Sequence, residues 1–328
     1  MSYLLTGCNG LLGGHIARLL LKKGEKVLAL KRKSSDLSFV ADIQGAIEWI
    51  EGDILDYLML EEAVHQADMV IHAAGLVSFQ AKDRKKLYKV NAEGTANVVN
   101  ACIRAGQKPL CHISSVAALG KPPQQKVINE ATRWDATAGH SDYAFSKNLG
   151  EQEVWRGVEE GLPAVILNPS VVLGAGNWQR SSLQLLNHAA SQPAFYPPGI
   201  LNYVDARNVA QAVYLVLQQE LFASRFVLNA GHVPYATFYQ QVAERLGLTP
   251  PLKTFTRWQA RLAQMLSVAA KAFGPGKQVL SRDMLKSAFN EHKMDGSSIC
   301  RTTGLHYHTL SETLDWACAE QQHATQAQ

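Results

Sequence analysis

Short apolar runs alternate with amphipathic segments along most of the chain. Runs of mainly apolar residues predict strands at positions 2–6, 26–30, 47–50, 69–75, 110–113, 164–167 and 226–229. Apolar residues at helical spacing predict helices at positions 11–22, 87–105, 142–160 and 235–246. Because parallel strands need long crossover connections, this alternation predicts an α/β fold with a doubly wound parallel sheet.

A turn with regularly spaced glycines joins the first predicted strand to the first helix. Gly7, Gly10 and Gly13 are three residues apart. They suit a sharp turn off the strand, close approach of backbone to a pyrophosphate, and tight packing of helix on strand. A helix N-terminus also offers free N–H groups to phosphates. The alternative is a glycine-rich turn that binds nothing. The residues expected to bind a dinucleotide here are Gly7, Asn9, Gly10, Leu11, Leu12 and Gly13.

Basic residues follow the second predicted strand, where the type of dinucleotide is decided. Arg32, Lys33 and Ser34 stand there, and the first acid is Asp36. An acid at this point would bind a ribose 2′-hydroxyl, whereas a base accommodates a 2′-phosphate. The three residues therefore favour NADP, with NAD as the alternative cofactor. A solvated basic turn is the other interpretation.

The ends of the third and fourth strands supply further cofactor residues. Asp53 and Ile54 are expected to hold the adenine, unless Asp53 instead caps a helix. The small residues Ala73, Ala74 and Gly75 follow the fourth strand and let backbone pass beside the cofactor. Ligands of such sheets lie at the carboxyl ends of the strands, so we expect these residues to meet in one cleft.

A tyrosine and a lysine four residues apart begin the helix predicted at 142–160. The spacing puts Tyr143 and Lys147 on one helical face. An adjacent ammonium lowers the pKa of a phenol from about 10, so Tyr143 could protonate a carbonyl oxygen as hydride reaches its carbon. Ser115 ends the fifth strand and could position that oxygen, with Ser114 as the competing candidate. Although a lone Tyr/Lys pair also arises by chance, the three residues on these elements predict a Ser/Tyr/Lys set.

Composition limits the class of protein without changing this interpretation. Of 328 residues, 47% are hydrophobic and 18% charged, as in ordinary folded proteins. A net charge of +4 gives no reason to expect nucleic-acid binding. Five cysteines without a C-x-x-C pair fit reduced thiols in a cytoplasm. We expect no integral membrane segment, no signal peptide and no metal site, since His306 and His308 have no cysteine or carboxylate cluster near them.

The chain resembles the extended short-chain dehydrogenase/reductase superfamily. More narrowly, it is similar to bacterial dihydroflavonol 4-reductase-like proteins and to NAD-dependent epimerase/dehydratases. The resemblance spans nearly the whole chain. It rests on TGCNGLLG at 6–13, GDI at 52–54, HAA at 72–74, VNAEGT at 90–95, SS at 114–115, YAFSK at 143–147, NPSVVLG at 168–174, YVDARNVA at 203–210, DGSS at 295–298 and TGL at 303–305.

This resemblance implies a division of the chain and a set of site residues. A Rossmann domain would cover residues 1–173, with a return segment at about 203–230, and a smaller substrate domain would cover 174–202 and 231–328. Ser115, Tyr143 and Lys147 would be catalytic, with Asn91 supporting the lysine through structure or water. The further cofactor residues implied are Asn91, Ile113, Asn168, Pro169, Ser170 and Val171.

The substrate should be chosen beyond position 173. The segment is rich in aromatic and turn residues, which suits an aromatic or largely apolar carbonyl compound, although an interdomain core is the alternative. Arg180 would meet either an anionic group or merely a surface carboxylate. Positions 254–273 predict an amphipathic helix that packs in the smaller domain, forms a homodimer face or touches a membrane surface. The expected substrate residues are Ser78, Ser115, Trp178, Arg180 and Tyr203.

Three functions are consistent with these residues. The leading hypothesis is an NADP(H)-dependent reductase of a ketone or aldehyde. The second is a sugar-nucleotide epimerase that retains NAD through its cycle. Dehydratases of the superfamily place acids after the catalytic hydroxyl residue, whereas Val116 and Ala117 follow Ser115 here, which argues against a 4,6-dehydratase. The third is a non-catalytic, cofactor-sensing regulatory protein.

Overall fold

The strands of the computed structural model match the predicted alternation. The structure describes residues 1–122, 124–135, 139–251, 253–256, 258–259 and 288–326. In chain order the strands are β1 (Ser2–Thr6), β2 (Lys26–Lys31), β3 (Glu48–Glu51), β4 (Met69–His72), β5 (Leu110–Ile113), β6 (Val127–Ile128), β7 (Ala164–Pro169), β8 (Val171–Leu173), β9 (Phe195–Tyr196), β10 (Ile200–Asp205), β11 (Ser224–Leu228), β12 (Gly231–Pro234), β13 (Lys253–Thr254) and β14 (Lys293–Met294).

The helices connect these strands as crossovers. They are α1 (Leu11–Lys22), α2 (Tyr57–His65), α3 (Arg84–Tyr88), α4 (Gly94–Arg104), α5 (Asp142–Glu159), α6 (Gln184–Ala190), α7 (Ala206–Gln218), α8 (Tyr235–Leu246), α9 (Ser297–Thr303) and α10 (Leu310–Gln326). Short 3₁₀ turns lie at Ser38–Val40, Gln44–Ala46, Ala81–Asp83, Val116–Ala118 and Ser181–Leu183. Within the described ranges, no helix has the length and apolarity needed to cross a membrane.

Seven parallel strands form the main sheet, in the order β11-β7-β5-β4-β1-β2-β3. Every residue of β4, β5 and β7 is buried, as expected for central strands with helices on both faces. On one face, Ile16 and Leu20 of α1 join a core with Val209 and Val213 of α7. On the other face, α2, α4 and α5 cover the sheet. The predicted Rossmann-type doubly wound fold is confirmed.

A second layer lies beyond the main sheet. Strands β8, β10 and β12 form a three-stranded sheet, which shares a core with α6, α8 and α10. The segment from α7 to β11 returns to the main sheet, because α7 packs on α1 and β11 pairs with β7. The domain boundaries inferred above remain a prediction.

Three predicted elements differ from the structure. The strand predicted at 69–75 ends at His72. The helix predicted at 87–105 is interrupted by a π-helical turn at Lys89–Glu93. The helix predicted from position 254 cannot begin there, because Lys253–Thr254 is a strand paired with β9. Positions 258 and 259 are helical, while 257 and 260–273 lie outside the described residues.

Candidate active site

One cleft of about 1950 Å³ lies over the carboxyl ends of the main-sheet strands. Residues that follow β1, β2, β3, β4, β5 and β7 all reach it. The predicted site residues that line the cleft are Gly7, Asn9, Gly10, Leu11, Leu12, Gly13, Arg32, Asp53, Ile54, Ala73, Ala74, Gly75, Ile113, Ser115, Tyr143, Lys147, Pro169, Ser170, Val171 and Arg180. Lys33 and Ser34 line a shallow depression next to it, which shares Arg32 and Asp53 with the cleft.

The glycine turn after β1 forms a cradle that larger residues would fill. Gly7 has a φ of +74°, and a Cβ there would lie 2.7 Å from the backbone nitrogen of Ala74. A Cβ on Gly13 would lie 2.1 Å from the carbonyl oxygen of Gly7. Gly10 precedes α1 without a side-chain cap, and the first turn of α1 has no acidic residue. The positive end of α1 therefore remains available to an anion, so this cradle fits the pyrophosphate of a dinucleotide.

The basic turn after β2 lies at one end of the cleft. Within the described residues, the Arg32 side chain makes no ion pair. Its backbone N–H donates to the Ser35 hydroxyl at 3.0 Å. Asp36 accepts an ion pair from Arg180 at 2.9 Å, and its carbonyl oxygen accepts from the amide of Asn9 at 3.3 Å. Arg180 thus meets a carboxylate of the chain, as the second of the two interpretations above holds, while the charge of Arg32 faces the cleft and its neighbouring depression.

Asp53 turns the chain at the end of β3. Its Oδ1 accepts the backbone N–H of Leu55 at 3.0 Å. The helix cap that was considered for Asp53 is instead made by Asp56, whose side chain accepts the N–H of Met59 in the first turn of α2. The capping interpretation of Asp53 is therefore wrong. Asp53 and Ile54 both line the cleft.

Local capping places Tyr143 and Ser115 beside each other. Ser141 caps α5 by accepting the N–H of Ala144 at 3.1 Å, which puts Tyr143 in the first turn of that helix. Ser115 follows β5 and accepts the N–H of Ala117 at 3.1 Å. The Ser115 hydroxyl also shares a hydrogen bond with the Tyr143 phenol. The aromatic ring of Tyr143 packs edge-on against Phe79, with 5.8 Å between ring centroids.

Lys147 is held below the tyrosine, one turn further along α5. Only 4% of its surface is exposed, and its Nζ donates to the carbonyl oxygen of Ile113 at 2.9 Å. Burial lowers the pKa of Lys147 to about 8, and the nearby Glu151 opposes this shift. Burial also raises the pKa of Tyr143, which the hydrogen bond from Ser115 opposes. The pKa of Tyr143 is therefore raised and not lowered as expected, because desolvation of the phenol outweighs the other contributions.

Asn91 lies on the π-helical turn and supports the site without lining the cleft. Its amide donates to the Leu76 carbonyl and to the Ser146 hydroxyl, each at 2.9 Å, and its Oδ1 accepts the Leu76 N–H at 2.8 Å. These bonds join the segment after β4 to α5. A Cβ on Gly150 would lie 2.4 Å from the Asn91 carbonyl oxygen, so the glycine permits this close approach. Short π-helical turns occur often at functional sites.

Four predicted site residues lie outside the cleft. The Asn168 side chain is fully buried and donates to the Ser115 carbonyl and to Glu151, instead of lining the nicotinamide side. Ser78 donates to Asp83 at 2.6 Å. Trp178 and Tyr203 pack in the core shared by the second sheet and its helices, with 4% and 7% of their surfaces exposed. The placement of these four side chains in a substrate or cofactor pocket was wrong, because core packing or local hydrogen bonds engage them.

Several side chains at the substrate end were not anticipated. They are mainly aromatic or basic, and come from segments that the sequence pattern left as loops or assigned to packing. Strand-end position could have indicated the segment after Ser115, where Lys121 now lines the cleft and burial lowers its pKa. The unanticipated lining residues include Phe79, Lys121, His140, His188, Phe195, Tyr235, Phe255 and Phe289. In the part of the chain that the structure describes, no group of three His, Cys, Asp or Glu side chains could hold a metal ion.

Comparison with known proteins identifies the family. Residues 3–231 match the model of the NAD dependent epimerase/dehydratase family. Sterol demethylase protein B of Methylococcus capsulatus is 30% identical over 254 residues, 76% of each chain. A putative dihydroflavonol 4-reductase of Synechocystis is 26% identical over 95% of this chain and 92% of its own length. The crystal structure of gox2253 superposes with a TM-score of 0.83, at 26% identity over 98% of both chains. The chain therefore belongs to the NAD dependent epimerase/dehydratase family of the extended short-chain dehydrogenase/reductase superfamily.

Proposed function

We propose that this protein is an NADP(H)-dependent reductase of a ketone or aldehyde. The observation that carries the proposal is the hydrogen bond between Ser115 and Tyr143 inside the cleft, one helical turn from the anchored ammonium of Lys147. The relative named as a putative dihydroflavonol 4-reductase also supports reduction of a carbonyl compound. The glycine cradle would hold the dinucleotide at the other side of the same cleft.

The residues have separable roles in this reaction. When bound, NADPH supplies the hydride that reaches the carbonyl carbon. Tyr143 gives its phenolic proton to the carbonyl oxygen, and Ser115 positions that oxygen through its hydroxyl. The Lys147 ammonium favours the phenolate that remains on Tyr143. The phenol has a raised pKa before substrate binds, so it holds its proton at neutral pH until the carbonyl oxygen takes it.

A hydride-transfer assay tests the proposal. Purified protein is mixed with a panel of aromatic and aliphatic ketones and aldehydes, and oxidation of NADPH or NADH is followed by absorbance. We expect turnover of at least one carbonyl class with NADPH. If no carbonyl compound is reduced and the purified protein carries tightly retained NAD, the reductase assignment fails.

The preference for NADP rests on Arg32. We expect Arg32→Ala to weaken NADPH binding by about 10- to 100-fold, since a hydrogen-bonded charge contributes about 1.5–3 kcal/mol. Binding of NADH should change little, because it has no 2′-phosphate. Titration of intrinsic fluorescence measures both affinities. Lys22→Ala removes the same charge at the exposed end of α1 and is the control. Unchanged NADPH affinity in Arg32→Ala would show that the basic turn is merely solvated.

The second candidate is a sugar-nucleotide epimerase that retains NAD. The description of the matching family model favours it, since that family is named for epimerases and dehydratases. Val116 and Ala117 form the turn that Ser115 caps, so the position of a dehydratase acid is taken by apolar residues. Retained NAD in protein purified without added cofactor, together with inversion of a nucleotide sugar, would support the epimerase over the reductase.

We propose that the protein works in the cytoplasm. All five cysteines are free, and all but Cys300 are buried. Burial raises the pKa of the Cys8, Cys102 and Cys111 thiols, which disfavours the reactive thiolate. A homodimer remains a prediction, since the helix expected to supply its face lies mostly outside the described residues.

A further inference from the structure

A carboxylate with no part in the reaction above is buried beneath the candidate site. Glu151 lies one turn after Lys147 on α5, and 1% of its surface is exposed. Charged side chains are almost never so completely buried unless they are paired. The cost of burying this charge must therefore be offset by specific partners, and those partners connect it to the site.

Three strands of the main sheet each supply a donor to this carboxylate. Its Oε1 accepts from the Ser114 hydroxyl after β5 and from the Asn168 amide of β7, each at 2.5 Å. Its Oε2 accepts from the Arg225 guanidinium of β11, also at 2.5 Å. Such short hydrogen bonds to an ionised group are the stronger kind. The carboxylate therefore joins α5 to three neighbouring strands at one point.

Two of these donors also hold the backbone that carries Ser115. Asn168 donates a second hydrogen bond, to the Ser115 carbonyl oxygen, at 2.8 Å. Ser114 is the preceding residue, and the carbonyl oxygen of Ile113 before it accepts the Lys147 ammonium. The backbone of residues 113–115 thus positions the serine hydroxyl and the lysine together, and Glu151 fixes it from behind.

The charge of Glu151 also acts on Lys147. Burial disfavours the ammonium form, and the only cause that opposes it at Lys147 is the Glu151 carboxylate. The other titratable groups near Lys147 are Tyr143, His72 on β4 and His112 on β5. Burial keeps both histidines neutral by lowering their pKa values, so neither adds a charge at neutral pH. Arg225 lies on the opposite oxygen of Glu151 and balances part of its charge.

We propose that Glu151 is a positioning residue of the active site, which orients Ser115 through Ser114 and Asn168 and maintains the ammonium form of Lys147. This inference rests on the proposed reductase function. It assigns a task to a side chain that touches neither the cleft nor a reacting atom.

The test compares Glu151→Gln with the wild-type protein across a range of pH. The neutral amide removes the charge and keeps the shape. We expect the alkaline limb of the kcat profile to move to lower pH by about one unit, since a charge at this separation shifts a pKa by that order. At pH 8 this shift alone lowers kcat about fivefold. KM should change little, because Glu151 lies outside the cleft.

A second readout follows Lys147 without using activity. Competitive acetylation with acetic anhydride at a series of pH values, read by mass spectrometry, reports the titration of this amine directly. The midpoint should fall in Glu151→Gln. An unchanged midpoint would overturn the inference. A lowered midpoint in a protein that reduces no carbonyl compound would overturn the reductase proposal and leave the electrostatic role of Glu151 standing.

Two further variants separate charge from structure. Ser114→Ala removes one hydrogen bond and leaves the carboxylate charged, so kcat should fall at all pH values with the alkaline limb in place. If Glu151→Gln does not fold, Arg225→Met still tests the charge, because the methionine can keep the contact with Trp155 while the positive charge is lost. Lys147 should then titrate at higher pH than in the wild type. An unshifted or lowered midpoint in Arg225→Met would contradict the inference.

Discussion

Tyr143→Phe is expected to lower kcat for carbonyl reduction by about 10²–10⁴-fold, the range that general acid catalysis contributes. The substitution removes the phenolic proton and the hydrogen bond with Ser115 but keeps the ring that packs on Phe79. NADPH affinity should therefore stay within about twofold of the wild type, since the cradle after β1 is untouched. Steady-state kinetics and a fluorescence titration with NADPH measure the two quantities.

The matched control for this variant is Tyr214→Phe on α7. The Tyr214 ring lies under the Lys23 ammonium, 5.4 Å from its centroid, on the face of the fold away from the cleft. Loss of its hydroxyl should leave kcat unchanged. Full activity in Tyr143→Phe would remove the acid from the proposed mechanism and with it the case for a Ser/Tyr/Lys set.

Gly13→Ala should disrupt the cofactor cradle and the packing beneath it. The added Cβ would lie 2.1 Å from the Gly7 carbonyl oxygen and 2.7 Å from the Cα of Cys8, and both are backbone atoms that cannot rotate away. Overpacking of this kind costs about 1–3 kcal/mol of the free energy of unfolding. Because the strand-to-helix turn must widen, NADPH affinity should fall by at least about tenfold.

Thermal unfolding with and without NADPH checks both effects. A ligand that binds only the folded state stabilises it by about 2.7 kcal/mol at a hundred times its Kd. Gly13→Ala should therefore unfold at a lower temperature and show a reduced shift on adding NADPH. Gly45→Ala is the control, since a Cβ there would meet nothing within 4 Å. A wild-type shift in Gly13→Ala would mean that the dinucleotide does not approach this turn.

Elements with strong local signals matched their predicted bounds. Helices α1 and α8 begin and end at the predicted residues, because apolar spacing and flanking glycines mark both ends. The helix predicted at 87–105 was interrupted instead. Its π-helical turn carries Asn91, whose bonds to Leu76 and Ser146 come from segments distant in the chain. Spacing along one helix contains no information about those partners.

The amino-acid sequence by itself determined the order of strands, the glycine cradle, the basic turn after β2 and the helical face shared by Tyr143 and Lys147. These features depend on the spacing of neighbours. Only the tertiary structure decided that Trp178 and Tyr203 belong to a core, that Asn168 supports Ser115 from behind, and that Glu151 lies beneath Lys147. Burial and electrostatic environment depend on which distant atoms surround a side chain, so the contacts across strands and helices assign these roles.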